Sequence, residues 1–315
     1  MKDSDRIDHM QSRRDFLNRA LGVAGGVAAA TFLSPSQTFA AWPPGETPRY
    51  EGRAKVNDAY EMYTESEYWS EEDVDWWEGR RVAGFPIGVI QLSANIPMIP
   101  GNMGNATTFG FPLLFEKMEV TGDMVVSTKP HPEVLRRSVE AAKILEQQGV
   151  RAIVGNCGFF ANYQQDVAAA INVPFFGSSL MQIPLILMSL GPKQKLGIIT
   201  ADGPKLEAAP ALENCGLTDR SRVVVTGAEE TSEMKRILTT SGSYNPRKFE
   251  LQLVDIAKTM VEQNPEISAI LLECTELPPH ARAIQKAVAM PVWGFPTMVN
   301  WIYQGVVRRN FSGFV

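Results

Sequence analysis

The chain has 315 residues, with 30 Lys plus Arg against 35 Asp plus Glu for a net charge of −5, and 44% of its residues are hydrophobic. Such a composition can bury one large or two mid-sized cores and excludes a disordered chain. The acidic balance gives no electrostatic footprint for nucleic acid, and three Cys and three His without a CxxC or HxxxH spacing exclude a disulfide framework and a structural metal site.

Near the N-terminus, Ser12-Arg13-Arg14-Asp15-Phe16-Leu17 precedes a Gly/Ala-rich apolar run over 20–33. The run is shorter than the ~20 residues of an anchoring span, and Thr38 and Ala40 suit cleavage after Ala40 or Ala41. The arginine pair ahead of Phe16-Leu17 resembles a bacterial twin-arginine signal. That likeness implies a signal peptide over 1–40, the twin-arginine export machinery as a partner, and a periplasmic mature chain with no stable membrane anchor. Residues 41–82 form an acidic extension carrying Tyr60, Tyr63, Tyr68, Trp69, Trp76 and Trp77. Rings in that number need a surface to lie against, so the extension is expected to wrap the body or a neighbouring subunit; a substrate flap is the alternative.

From residue 86 short β-branched runs alternate with amphipathic stretches. The pattern predicts a strand over 86–92, a helix over 133–148 stopped by Gly149, a strand over 150–155, a helix over 159–171, a strand over 173–177 and a helix over 181–190. After Gly191-Pro192 the same order restarts: strand 196–200, helix 205–214, strand 223–226, helix 247–263, strand 267–272, helix 277–287, strand 292–294 and helix 297–305. Strand–helix alternation implies parallel sheets covered on both faces. The expected fold is therefore α/β with two similar doubly wound lobes. The first lobe is read as 83–191 with 291–315 and the second as 192–290, with a ligand site between the lobes at the strand C-termini.

Two cysteines occupy matching places in this pattern. Cys157 follows the strand of the first lobe in Gly155-Asn156-Cys157-Gly158-Phe159, and Cys274 follows that of the second in Glu273-Cys274-Thr275-Glu276-Leu277-Pro278. At the start of a helix, unpaired N–H groups favour a thiolate and are expected to lower the thiol pKa from ~8.5; they also suit a substrate carboxylate. Two thiols approaching one carbon from opposite lobes fit proton removal on one face and return on the other, next to a carbonyl. Cys215, in Glu213-Asn214-Cys215-Gly216, reads as a packed hydrophobe. His131, between two prolines, reads as surface, and a cleft position for His280 is the minor alternative. The loop 99–109 either presents N–H groups to an anion or is a turn and cap.

The runs around Cys157 and Cys274 resemble the paired cysteine motifs of the aspartate/glutamate/hydantoin racemase superfamily, and the likeness extends from Ile87 to about Val315. It implies a cofactor-independent racemase or epimerase, without pyridoxal phosphate or metal, acting on a small carboxylate or amide, and a homodimer. Cys157 and Cys274 would be the acid/base thiols. Asn156, Gly158 and Phe159 would contact substrate beside the first, Thr275 and Glu276 beside the second, and Ser178, Ser179 and Thr200 would form a hydroxyl-bearing rim. Where many racemases place an acidic residue near the first thiol, this chain has Ser93, which holds no charge, so the activation of Cys157 is left open. A cis–trans isomerase or decarboxylase of the same superfamily, or a non-catalytic periplasmic solute-binding protein, are the alternatives.

Overall fold

The computed structural model describes residues 83–240, 242–311 and 313–314. The export signal expected at 1–40 and the aromatic extension at 41–82 lie outside the described residues.

Four strands, β1 (Ile87–Leu92), β2 (Leu113–Met118), β3 (Ala152–Gly155) and β4 (Phe175–Phe176), form a parallel sheet in the order β2-β1-β3-β4. Four more, β5 (Lys195–Thr200), β6 (Val223–Gly227), β7 (Ile267–Leu272) and β8 (Val292–Trp293), form a second parallel sheet in the order β6-β5-β7-β8. The two lobes thus repeat one topology, and the α/β class with paired parallel sheets is what the alternating pattern implied. The inner strands are almost wholly apolar, and β3 is buried throughout, because helices cover both faces.

Each covering helix has a local reason to start where it does. Helix α1 (Pro132–Gln147) begins with Pro at its first turn and a His131 side chain that accepts from the Glu133 N–H at 3.2 Å. It buries Val134, Ser138, Ala141, Ala142 and Leu145, one face at helical spacing. Helix α2 (Pro246–Gln263) repeats the device with Asn245 as cap, and buries Phe249, Leu253, Ala257 and Met260. The last helix, α3 (Phe295–Val306), crosses back to the first sheet and packs Phe295, Met298, Val299 and Ile302 on Ile87, Val89, Ala152 and Val154.

Several details differ from the sequence reading. Strand β2 has no β-branched residue and is a half-buried edge, so neither propensity nor alternation marks it. The short helix Ser232–Leu238, capped by Thr231, also has no counterpart in the reading. The helix expected over 205–214 breaks into Gly203–Ala208 and Ala211–Asn214, because Ala209, ahead of Pro210, is extended. The first lobe does not resume at residue 291: β8 pairs with β7, and the return comes with α3.

The lobes touch through specific polar and backbone contacts. The Ser179 hydroxyl reaches the Leu272 and Glu273 carbonyls at 2.9 and 3.1 Å, and the Gln182 amide donates to the Gly294 carbonyl at 3.0 Å. Gly101 has φ +100, and a Cβ there would stand 2.8 Å from Pro279 Cα. A Gly101→Ala change adds left-handed strain of about 1–2 kcal/mol and forces the loop off Pro279. Thermal unfolding should show Tm lowered by roughly 5 °C, from about 2–4 °C per kcal/mol at this size; an unchanged Tm would contradict this packing.

Candidate active site

Because the sheets share one strand order, β3 and β7 are equivalent strands, and both cysteines lie just past their C-terminal ends. In each lobe the chain leaves the central strand to opposite sides at this point, which opens the crevice where α/β sheets bind ligands. Cys157 is 8% exposed and precedes a 3-10 turn, Gly158–Tyr163. Cys274 is only partly buried. Cys157 lies near enough to Cys274 to help raise its pKa. All three cysteines are free thiols, and Cys215 is packed into the core that also holds Leu206, Leu212 and Leu217.

Two carboxyls from the second lobe complete the site. Glu273 is 1% exposed; its Oε2 accepts from the Thr200 hydroxyl at 2.8 Å and from the Ala201 N–H at 3.4 Å. Its Oε1 has no partner and lies against the backbone next to the first thiol: a Cβ on Gly158 would collide with it. Glycine at 158 is thus a packing requirement set by the opposite lobe. Glu276 is 7% exposed, with the Asn102 side-chain amide beside it. Among the described residues neither carboxyl has an ion-pair partner.

Burial dominates the electrostatics. It pushes the Glu273 carboxyl up to about 7, against the Thr200 and Ala201 donors that favour the anion, and it pushes Glu276 to about 7 against Asn102. Both active-site thiols are raised, first by burial and then by the Glu273 charge. This corrects the expectation of thiols activated by a helix start. The N–H groups of Phe159 and Glu276 do pull the two pKa values down, but desolvation and two carboxyls outweigh them. The resting thiols are neutral.

The other expected residues divide into two groups. Asn156, Gly158, Phe159, Thr275 and Glu276 flank the thiols and are buried; the Asn156 amide donates to Gln91 Oε1, and its own Oδ1 is buried without a partner. Three hydroxyls are instead spent on the protein. Ser178 caps the turn Ser179–Gln182, Ser179 bonds the β7 backbone, and Thr200 holds Glu273. Ser93 is half-buried and its hydroxyl donates to the Glu119 carboxylate at 3.4 Å. His280 belongs to the second core, edge-on to Phe249 at 5.4 Å and 3.7 Å from the Glu250 carboxylate. The sequence reading gave Glu273 and Asn102 no role of their own at the site. Glu273 stands next to Cys274 in the motif itself, a position where its charge was signal enough.

No protein-family profile matches this chain. It is similar to dimethylsulfoniopropionate lyases 7 and 6 of Emiliania huxleyi (strain CCMP1516), at 29% identity over 68% of this chain and 30% over 70%. The matched part spans 65% and 59% of those two relatives, less than two thirds of each. Among solved structures it superposes on unliganded arylmalonate decarboxylase with TM-score 0.47 and 17% identity, covering 70% of this chain and 91% of that one. The glutamate racemase of Aquifex pyrophilus superposes with TM-score 0.44 and 17% identity, over 70% and 84%. The sequence relatives carry the name of a lyase rather than of a racemase.

The raised carboxyls have a consequence for stability. Glu276 binds its proton more tightly folded than unfolded, so its contribution is full below its ordinary value of 4.5 and is lost as pH rises through about 7. Urea unfolding at pH 5 and pH 8 should show the wild type losing up to about 3 kcal/mol relative to Glu276→Gln across that window. Parallel pH dependence in the two proteins would mean that Glu276 is not desolvated.

Proposed function

We propose that this chain is an enzyme that moves a proton at the carbon next to a carboxylate, with Cys157 and Cys274 as its acid/base pair, and that it is a lyase for a β-sulfonio carboxylate of the dimethylsulfoniopropionate class. The observation that carries this reading is the convergence of two thiols, from equivalent strands of two lobes, on one buried site that also holds two carboxyls. The lyase half is supported by the names of the sequence relatives. It is supported also by Glu273 and Glu276, which have no Lys or Arg partner among the described residues and so suit a substrate with a cationic head.

The chemistry follows from the placement. One thiol, as thiolate, takes the α-proton, and the electron pair left on the α-carbon is shared with the carboxylate. With a β-sulfonio group present, that pair forms the Cα–Cβ double bond while the C–S bond breaks and the thioether leaves neutral with the bonding pair. The products are an unsaturated carboxylate, the thioether and one proton. Without a leaving group, the opposite thiol returns a proton to the other face and inverts the centre. Racemisation is thus the second reading, favoured by the matched placement of the thiols. Thr275, Asn156 and Gly158 would shape the substrate's surroundings. Export to the periplasm remains part of the proposal, on Arg13-Arg14 and the apolar run after them.

Incubation with dimethylsulfoniopropionate, with acrylate detected by proton NMR and dimethyl sulfide in the headspace, tests this directly. Both products should form, and replacing the thiol that takes the α-proton by Ala should lower the rate by about 1,000-fold or more, the scale on which acid/base groups act, while replacing its opposite lowers it less. Full activity in both the Cys157→Ala and the Cys274→Ala proteins would overturn the reading. Loss of optical activity in a chiral α-substituted carboxylate, without elimination, would select the racemase.

A further inference from the structure

Two stretches of the chain carry no charged residue: none lies between Asp166 and Lys193, and none between Lys286 and Arg308. They contain the helix Ile183–Ser189 and α3, which start side by side, with the Gln182 amide donating to the Gly294 carbonyl and the Thr297 hydroxyl 2.8 Å from Gln182 Oε1. Helix α3 spends Phe295, Met298, Val299 and Ile302 on the core, and its outer face holds Thr297, Asn300, Trp301 and Gln304. Trp301 is 58% exposed and stands edge-on to Phe176 at 5.8 Å; on the neighbouring helix Leu185 is 65% and Met188 84% exposed. A surface helix ordinarily turns charged residues to water. Large apolar side chains exposed on two adjacent uncharged helices mark a face that something covers.

We propose that this face is the seat of the chain's own aromatic segment, residues 58–78, with Trp301 at its centre. The segment carries Tyr60, Tyr63, Tyr68, Trp69, Trp76 and Trp77, and its aliphatic side chains are only Ala59, Met62 and Val74. It is too short to bury its rings in a core of its own, so they need an apolar host. The body offers one close to where the segment ends. The Pro86 carbonyl accepts from the Arg151 N–H at 2.8 Å, and the Arg151 guanidinium donates to the carbonyl of Val306, the last residue of α3, at 3.0 Å. Trp301 lies about 8 Å back along that helix at its ordinary rise, and the stretch from Trp77 to Pro86 can extend over roughly 30 Å. A tethered segment meets the face at an effective concentration on the order of millimolar, an advantage that a second copy or another protein lacks. The carboxylates between the rings can turn to water, since the two helices carry no charge to pair with or repel them. The proposal stands apart from the reading of the cysteines.

The test uses the full chain with a photoreactive side chain at one position: Trp301→p-benzoylphenylalanine in one protein and Met188→p-benzoylphenylalanine in a second. Each is irradiated, run on a denaturing gel, and digested for mass spectrometry. The proposal expects cross-links from position 301 to peptides within 58–78, in a product that keeps the mass of a single chain. A product of doubled mass, joined through a second copy, would overturn it and make the face an interface between copies. Cross-links to other proteins alone, or none to 58–78 from either position, would overturn it as well. If the Trp301 variant does not fold, the Met188 variant decides. Hydroxyl-radical footprinting gives a second reading without a photoreactive group: the double variant Trp76→Ser, Trp77→Ser should oxidise Trp301 and Met188 severalfold faster than the wild type does. Equal oxidation in the two proteins would contradict the docking.

Discussion

Desolvation of acidic groups at the seam between two lobes is the constraint on which this structure turns. Cys157, Cys274, Glu273 and Glu276 share one buried region, and each is pushed toward its neutral form by loss of water more than it is drawn toward charge by neighbouring donors. The fold accepts this because the repeat of one strand order in both sheets delivers two strand ends, with their adjoining turns, to the same place. A site held neutral at rest is a poor home for an anion alone. It becomes favourable for a ligand that brings positive charge, or for a reaction in which a proton is shared among its groups.

The lobes are coupled by residues of the candidate site. Ser179 of the first lobe holds the backbone of Leu272 and Glu273, Thr200 holds the Glu273 carboxyl, and that carboxyl fills the space a side chain at 158 would take. A shift of one lobe against the other therefore moves Glu273 relative to Cys157 and disturbs packing, hydrogen bonding and proton balance together. Hydroxyls read from the sequence as a substrate rim hydrogen-bond within the protein, Ser179 to the β7 backbone and Thr200 to the Glu273 carboxyl.

Much of the architecture was legible in the sequence because it depends on period and composition. The inner strands are continuous apolar runs, the long helices have Pro and a capping residue at their starts, and Gly191-Pro192 marks the restart. Both thiols could be placed at strand ends for the same reason. Strand β2 was hidden because a half-buried edge with Leu, Phe, Glu, Lys and Met has no β signature; β8 was read as a strand but given to the wrong lobe, because two residues carry no lobe label until they pair. The ionisation of the thiols was read in the wrong direction. Local sequence shows the N–H groups that lower a pKa and, beside Cys274, the two carboxyls that raise it; the burial of both thiols, and the carboxyls that act on Cys157 from the other lobe, come from tertiary packing. The likeness to racemases pointed to Cys157 and Cys274, but it does not choose between elimination and inversion, which begin from the same proton abstraction.

The central claim is that Cys157 and Cys274 face one small gap between the lobes. A bifunctional thiol reagent such as dibromobimane, which fluoresces once both arms have reacted, tests it on the native protein. The account predicts fluorescence and a cross-linked peptide pair containing Cys157 and Cys274, with Cys215 untouched. Mono-adducts only, or a cross-link through Cys215, would contradict it.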